Sequence, residues 1–138
     1  MIIADTGYWL ALANRRDRHH ARAVQALEEL DEALVTTWPV MTETCHLLLN
    51  RLGVHAQTSF VLTIRDGACD IFELQINHLP RLVELMLQYQ NLPMDLADAS
   101  LVVLAEKLGT GRILSTDRRD FGTYRWKNRH PFSNMLLD

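Results

Sequence analysis

With 138 residues, 48% of them apolar and 22% charged, the chain has the size and composition of one ordinary soluble domain able to bury a substantial core. No stretch approaches the roughly 20 apolar residues that a membrane helix needs, so a membrane-spanning helix is excluded. The net charge of −3 excludes a uniformly basic nucleic-acid binder.

The N-terminal "MIIA" is a short apolar run that predicts a first strand, with Asp5 at its end. "GYWLALANR" fits a short helix. From Asp17, "DRHHARAVQALEELDEA" carries Ala21, Val24, Leu27 and Leu30 near helical spacing, and "ALVTT" reads as a second strand. Pro39 suits the first turn of a helix that continues through "VMTETCHLLLNRLG" to Gly53. "VHAQTSFVLTIRDG" is a second helix of the same kind, closed by Gly67.

"CDIFEL" predicts a third strand. A helix follows from about His78 to Gln90, with Leu82, Leu85, Met86 and Tyr89 in its stripe. "MDLADASLVVLAEKLG" is apolar nearly all round, which predicts a helix buried on several sides and ended by Gly109. "RILSTD" is a fourth strand and "FSNMLL" a short fifth. This alternation predicts an α/β fold, a short parallel sheet of four to five strands covered by helices on both faces, in one domain spanning residues 1–138.

Parallel sheets bind ligands at the carboxyl ends of their strands. Asp5 ends the first strand and Asp117 the fourth, so both fall on that edge. Glu43 lies one turn into the helix after the second strand and faces the same edge. Asp95 and Asp98 begin the late helix, whose side of entry alternation leaves open. Each acid also has an ordinary structural use. Asp95 and Asp98 suit an N-cap and a first helical turn. Glu43 can complement a helix dipole, Asp117 can open a turn, and Asp5 can cap the helix at Gly7. Four carboxylates in one cleft would raise one another's pKa values unless a cation joined them.

Mg²⁺ or Mn²⁺ is the simplest such cation, because both prefer hard oxygen ligands. No Cys/His spacing suggests structural zinc, and the adjacent His19 and His20 cannot share a helix face. Two oxygen-bound metals would suit phosphodiester cleavage. The basic residues are uneven: of 14, four lie in Arg15–Arg22 and six in Arg112–Arg129, leaving a middle with four bases against 12 acids. Brought together they would make a positive surface, though solvated loop arginines explain them as readily. The N-terminus lacks a basic leader, so Cys45 and Cys69 are expected to be reduced packing residues in a cytoplasm.

"IIADTGYWLALANRRDRHHARA", "MTETCHLL", "MDLADASLVVLAEKLG" and "ILSTDRRDFGTYR" together resemble the successive motifs of PIN domains, particularly the VapC-like toxins of toxin–antitoxin pairs. The resemblance covers nearly the whole chain, in family order. It implies a metal-dependent endoribonuclease that leaves a 5′-phosphate and a 3′-hydroxyl, with Asp5, Glu43, Asp98 and Asp117 holding Mg²⁺ or Mn²⁺. Thr6 and Thr116 match hydroxyl positions beside the acids, Asp120 an extra acid after the fourth, and Asp95 one before the third. His20 matches a histidine we read as structural. Arg118, Arg119, Arg15 and Arg16 are the candidate RNA-backbone contacts. The resemblance also implies a homodimer and an antitoxin partner that blocks the cleft. Gly7 departs from the family pattern, in which Ser or Asn often follows the threonine.

Two other readings compete. A PIN-like module could bind RNA or protein without cutting, although the complete acid set argues against lost activity. A phosphotransfer enzyme could use Asp5 as nucleophile, but those folds pair that aspartate with a second acid and a late-strand lysine. Here Thr6 and Gly7 follow it, and Lys107 lies on a helix.

Overall fold

The computed structural model describes residues 1–137. Strand β1 (Ile2–Ala4) leads into α1 (Thr6–Ala13) and α2 (His20–Glu29), then β2 (Leu34–Thr37), α3 (Trp38–Leu52) and α4 (Val54–Thr63). After β3 (Asp70–Phe72) come α5 (Leu79–Gln88) and α6 (Leu96–Leu108). The chain closes with β4 (Arg112–Leu114), α7 (Arg118–Thr123), β5 (Arg125–Trp126), β6 (His130–Pro131) and β7 (Ser133–Asn134).

Five strands form one sheet in the order β3-β2-β1-β4-β7, every neighbouring pair parallel. Ile2, Ile3 and Ala4 are all buried. Because successive side chains leave a strand on opposite faces, both faces of β1 are covered. The predicted alternation and the short fifth strand are both present. Strand order turns outward in two directions from β1, so the β1/β4 crevice is the switch point where open α/β sheets place their ligands.

Local chemistry sets the element ends as the residues predict. Pro39 sits in the first turn of α3, and Gly109 takes the left-handed conformation (φ 71°) that closes α6. The helix expected from Val54 to Gly67 is α-helical to Thr63 and widens into a π turn over Ile64–Ala68, where Gly67 takes the left-handed conformation (φ 98°) that closes it before β3. His20 Nδ1 lies 2.7 Å from the Ala11 carbonyl oxygen, tying α2 back to α1, a structural role. The antiparallel β5–β6 hairpin is absent from the sequence reading. Its turn places Lys127 and Asn128 at positive φ, and the arms are too short to show a period. Among the described residues no helix is long and apolar enough to cross a membrane.

Two buried hydroxyls help to fix where α6 enters. The Ser100 hydroxyl donates to the Ala97 carbonyl (2.6 Å) and lies 2.6 Å from that of Thr37. Ser100 has one proton, already given to Ala97, so Thr37 donates to Ser100. This bond fastens the first turn of α6 to the carboxyl end of β2. It brings Asp95 and Asp98 to the edge that holds Asp5.

Candidate active site

Asp5 is buried at the end of β1 and caps α1, accepting from the Thr6 amide (2.8 Å) and from the Ser115 hydroxyl (2.8 Å). Both bonds favour the carboxylate, yet desolvation outweighs them and raises its pKa from 3.8 to about 6. The charges of Asp117 and Asp95 push the same way. So Asp5 does cap a helix, but a neutral serine or asparagine would cap it without that electrostatic cost.

Ser115 is the hydroxyl missed by sequence reasoning. It donates to Asp5 and accepts from the Asp117 amide (3.0 Å), linking two strand-end acids. Asn134 of β7 holds it there, donating to the Ser115 carbonyl (2.9 Å). Thr116 does something else: it packs over Gly7, where an added Cβ would fall 1.9 Å from its hydroxyl oxygen. The departure at Gly7 thus has a steric cause in this chain. Asp117 caps α7 through the Asp120 amide (2.9 Å). Its pKa is raised, by desolvation first and also by hydrogen bonding with the Asp120 carboxyl.

Asp95 is the N-cap of α6, accepting from the Asp98 amide at 2.8 Å. Asp98 stands in that first turn, and its carboxylate accepts from the fully buried Tyr124 hydroxyl at 2.8 Å. Desolvation, then the charges of Asp95 and Asp5, raise the Asp98 pKa to about 8. Desolvation followed by Asp95 and Asp5 likewise raises Glu43 to about 6, while Thr6 lowers it. Among the described residues the buried Thr6 hydroxyl completes no hydrogen bond. Tyr124 carried no sequence signal, because its contact with Asp98 spans 26 residues and depends on the turn after α7.

The structure therefore brings Asp5, Glu43, Asp95 and Asp98 into mutual electrostatic contact, with Asp117 acting on Asp5. Among the described residues no three Asp, Glu, His or Cys side chains are gathered as a ready-made ligand set. The acids instead gather at the carboxyl edge of the sheet, and Asp5, Asp95, Asp98 and Asp117 each accept from at least one neutral donor. An all-oxygen donor set of this kind, with raised pKa values and a buried unpartnered hydroxyl, fits a hard divalent cation.

The arginines divide. Arg118 is exposed at the start of α7, beside Asp117. Arg119 is partly committed, donating to Asp120 (3.0 Å) and to the Leu92 carbonyl (3.1 Å). Arg15 and Arg16 lie beyond the far end of α1, roughly 12 Å of helix from Asp5. The two basic segments do meet, but elsewhere: Arg22 and Arg112 line one small surface cavity with Glu29 and Glu32. Arg112 pairs with Glu32 there, so the expected positive surface is neutralised.

Comparison with known proteins gives consistent matches. The sequence profile of the PIN domain fits residues 2–127. Ribonuclease VapC26 of Mycobacterium tuberculosis (strain ATCC 25618 / H37Rv) is 29% identical over 124 residues, covering 90% of this chain and 92% of that protein. The crystal structure of Mycobacterium tuberculosis VapC20, a sarcin–ricin loop cleaving toxin, superposes with a TM-score of 0.79 at 22% identity. That match covers 86% of this chain and 92% of the other. A toxin–antitoxin complex from Klebsiella pneumoniae gives a TM-score of 0.66 at 18% identity, covering 89% and 92%.

Proposed function

This chain belongs to the PIN domain family, and we propose that it is a Mg²⁺- or Mn²⁺-dependent endoribonuclease, the toxin of a toxin–antitoxin pair. One observation carries the reading: at the switch point of a parallel sheet, desolvation and then the charges of neighbouring acids raise the pKa values of Asp5, Glu43 and Asp98, with Asp117 beside Asp5. Such repulsion lowers stability unless a cation is the intended partner. The named activities of VapC26 and VapC20 agree with it.

Asp5, Glu43, Asp98 and Asp117 would hold the ion. When bound, Mg²⁺ or Mn²⁺ supplies Lewis-acid stabilisation of charge developing on a phosphodiester and acidifies water. The protein's own residues do the rest. Ser115 and the Thr6 amide fix both oxygens of Asp5. Thr6 faces Glu43, Asp95 keeps the first turn of α6 in register, and Asp120 orients Asp117. Arg118, free beside Asp117, is the best-situated backbone contact for RNA; Arg119 contributes with the part of its guanidinium left free. Phosphate contacts of this kind position a strand without reading its sequence. The remote Arg15 and Arg16 could touch only a longer RNA.

Two surfaces suit protein partners. A cleft of about 560 Å³ is lined by Trp9, Leu12, Leu52, Ala56 and Phe60, and the buried Trp9 indole N–H has no acceptor among the described residues. An antitoxin segment could fill it and offer a carbonyl to Trp9. On the outer side of α5 and the short turn before it, the exposed Ile76, Leu79, Val83 and Leu87 form a stripe suited to a second copy. An RNA substrate puts the site of action in the cytoplasm.

The direct test is incubation with RNA plus Mg²⁺ or Mn²⁺, against the same mixture with chelator, for wild type and Asp98→Asn. Metal-dependent internal cuts bearing 5′-phosphates, lost in the variant, support the proposal. RNA that is retained but uncut under every condition would return the chain to a binding module. Val83→Glu should separate the homodimer into monomers on a sizing column, whereas an unchanged elution volume would remove the α5 face from the interface.

A further inference from the structure

Among the carboxylates of the cleft, Asp98 is held differently from the rest. Asp5 receives a backbone amide and a serine hydroxyl, and Asp117 receives the Asp120 amide of the helix it caps. Among the described residues, the only hydrogen-bond donor to the Asp98 carboxyl is the Tyr124 hydroxyl, at 2.8 Å to Oδ2. No donor occupies Oδ1.

The tyrosine is itself immobilised. It has no solvent exposure and ends α7 in an extended conformation. Its ring meets Tyr89 edge-on at 5.0 Å and Phe121 at 5.1 Å. The next residue is fastened too, the Arg125 amide donating to the Tyr89 hydroxyl at 3.0 Å. A ring clamped on two sides cannot follow a wandering carboxylate, so the carboxylate must come to the hydroxyl. The bond also joins α7, which Asp117 caps, to α6, which carries Asp98. It therefore sets the spacing between the third and fourth acids.

We propose that Tyr124 is a positioning residue for the metal ligand Asp98: it engages Oδ2 and so leaves Oδ1, in one fixed orientation, for the cation. The proposal rests on the metal-dependent reading above. Removing a hydrogen-bond partner of a ligand typically weakens metal binding about 10–100-fold.

Titration calorimetry with Mn²⁺ alone, on the whole chain, tests it. Tyr124→Phe keeps the ring and both aromatic contacts, so its metal-free melt should move by only a few degrees. Its Mn²⁺ affinity should fall about tenfold or more. Cleavage should need correspondingly more Mn²⁺ for half-maximal rate and recover much of its rate at saturation. Tyr89→Phe, which removes the part-buried hydroxyl that fastens Arg125 but keeps the Tyr124–Asp98 bond, should cost clearly less Mn²⁺ affinity than Tyr124→Phe. In an Asp98→Asn background, adding Tyr124→Phe should change Mn²⁺ affinity no further. Equal Mn²⁺ affinity in wild type and Tyr124→Phe would overturn the role of Tyr124 while leaving the nuclease reading intact. So would an equal loss in Tyr89→Phe, or a further loss in the Asp98→Asn background. A wild type that binds no Mn²⁺ would overturn the metal reading and this proposal with it.

Discussion

Thr116 sits directly over Gly7, so close that a methyl group on Gly7 would fall 1.9 Å from the Thr116 hydroxyl and 3.0 Å from its Cβ. The turn after β4, which carries Ser115 and Asp117, is thus packed against the first turn of α1, capped by Asp5. Alanine at position 7 would gain about 0.5–1 kcal/mol of helix propensity. Overpacking costs about 1–3 kcal/mol, and here the clash involves a Cβ as well as a hydroxyl. Gly7→Ala should therefore lower stability by about 1–2 kcal/mol, read from denaturant midpoints. Gly7→Ala with Thr116→Ala should recover part of the loss; simple additivity of the two would show that the contact is not the cause.

The two acids at the start of α6 should separate cleanly. Asp95 caps the helix, and asparagine caps as well, so Asp95→Asn should retain fold and most cleavage. Asp98→Asn should retain the fold and lose most cleavage, because an amide brings no charge to a cation. Equal activity in both variants would reduce Asp98 to a residue of the helix start.

Metal-free stability should depend on pH in a definite direction. The folded-state pKa values of Asp5 and Glu43 are raised to about 6 and that of Asp98 to about 8. A raised carboxyl binds its proton more tightly in the fold than in the unfolded chain, so its contribution is full below the unfolded pKa near 4. That contribution is lost as pH rises through 6 and then 8. For Asp5 alone the shift corresponds to roughly 3 kcal/mol. In chelator, the melting temperature should fall between pH 5 and pH 8, and Asp5→Asn should flatten the fall. A melting temperature that rises over this interval would contradict the electrostatic account.

The arginines of α7 should differ as well. Arg118→Ala should weaken RNA binding and reduce its single-strand salt slope by about 0.7, with stability unchanged. Arg119→Ala should also lower stability, because that side chain bridges Asp120 to the Leu92 carbonyl. Salt titrations of binding beside thermal melts separate the two, and identical profiles would reject the distinction.

What was legible in the sequence was what local rules encode. "MIIA" before Asp5 and "RILS" before Asp117 placed two acids on one edge, and Pro39 and Gly109 marked helix ends. The entry side of α6 was not legible, since it depends on packing between residues far apart in the chain, the Thr37–Ser100 hydrogen bond among them. Tyr124 and Ser115 were hidden for the same reason: nothing in their neighbourhoods reports the carboxylates they hold. Charge clustering misled in part, because Arg112 is spent on Glu32 at the opposite edge of the sheet. Gly7 was visible as a departure, but only its approach to Thr116 gives the cause.

The central claim is that the cleft carboxylates repel one another until a divalent cation joins them, and Asp5 tests it most directly. Asp5→Asn keeps size and capping ability while removing one charge. Thermal melts of wild type and variant, with and without Mn²⁺, are the measurement. Without metal, the variant should melt at or above wild type, against the usual direction for buried substitutions. At a hundredfold excess over its dissociation constant, Mn²⁺ should stabilise wild type by about 2.7 kcal/mol and the variant by much less. A variant that melts well below wild type without metal, yet gains as much from Mn²⁺, would make Asp5 a helix cap and nothing more.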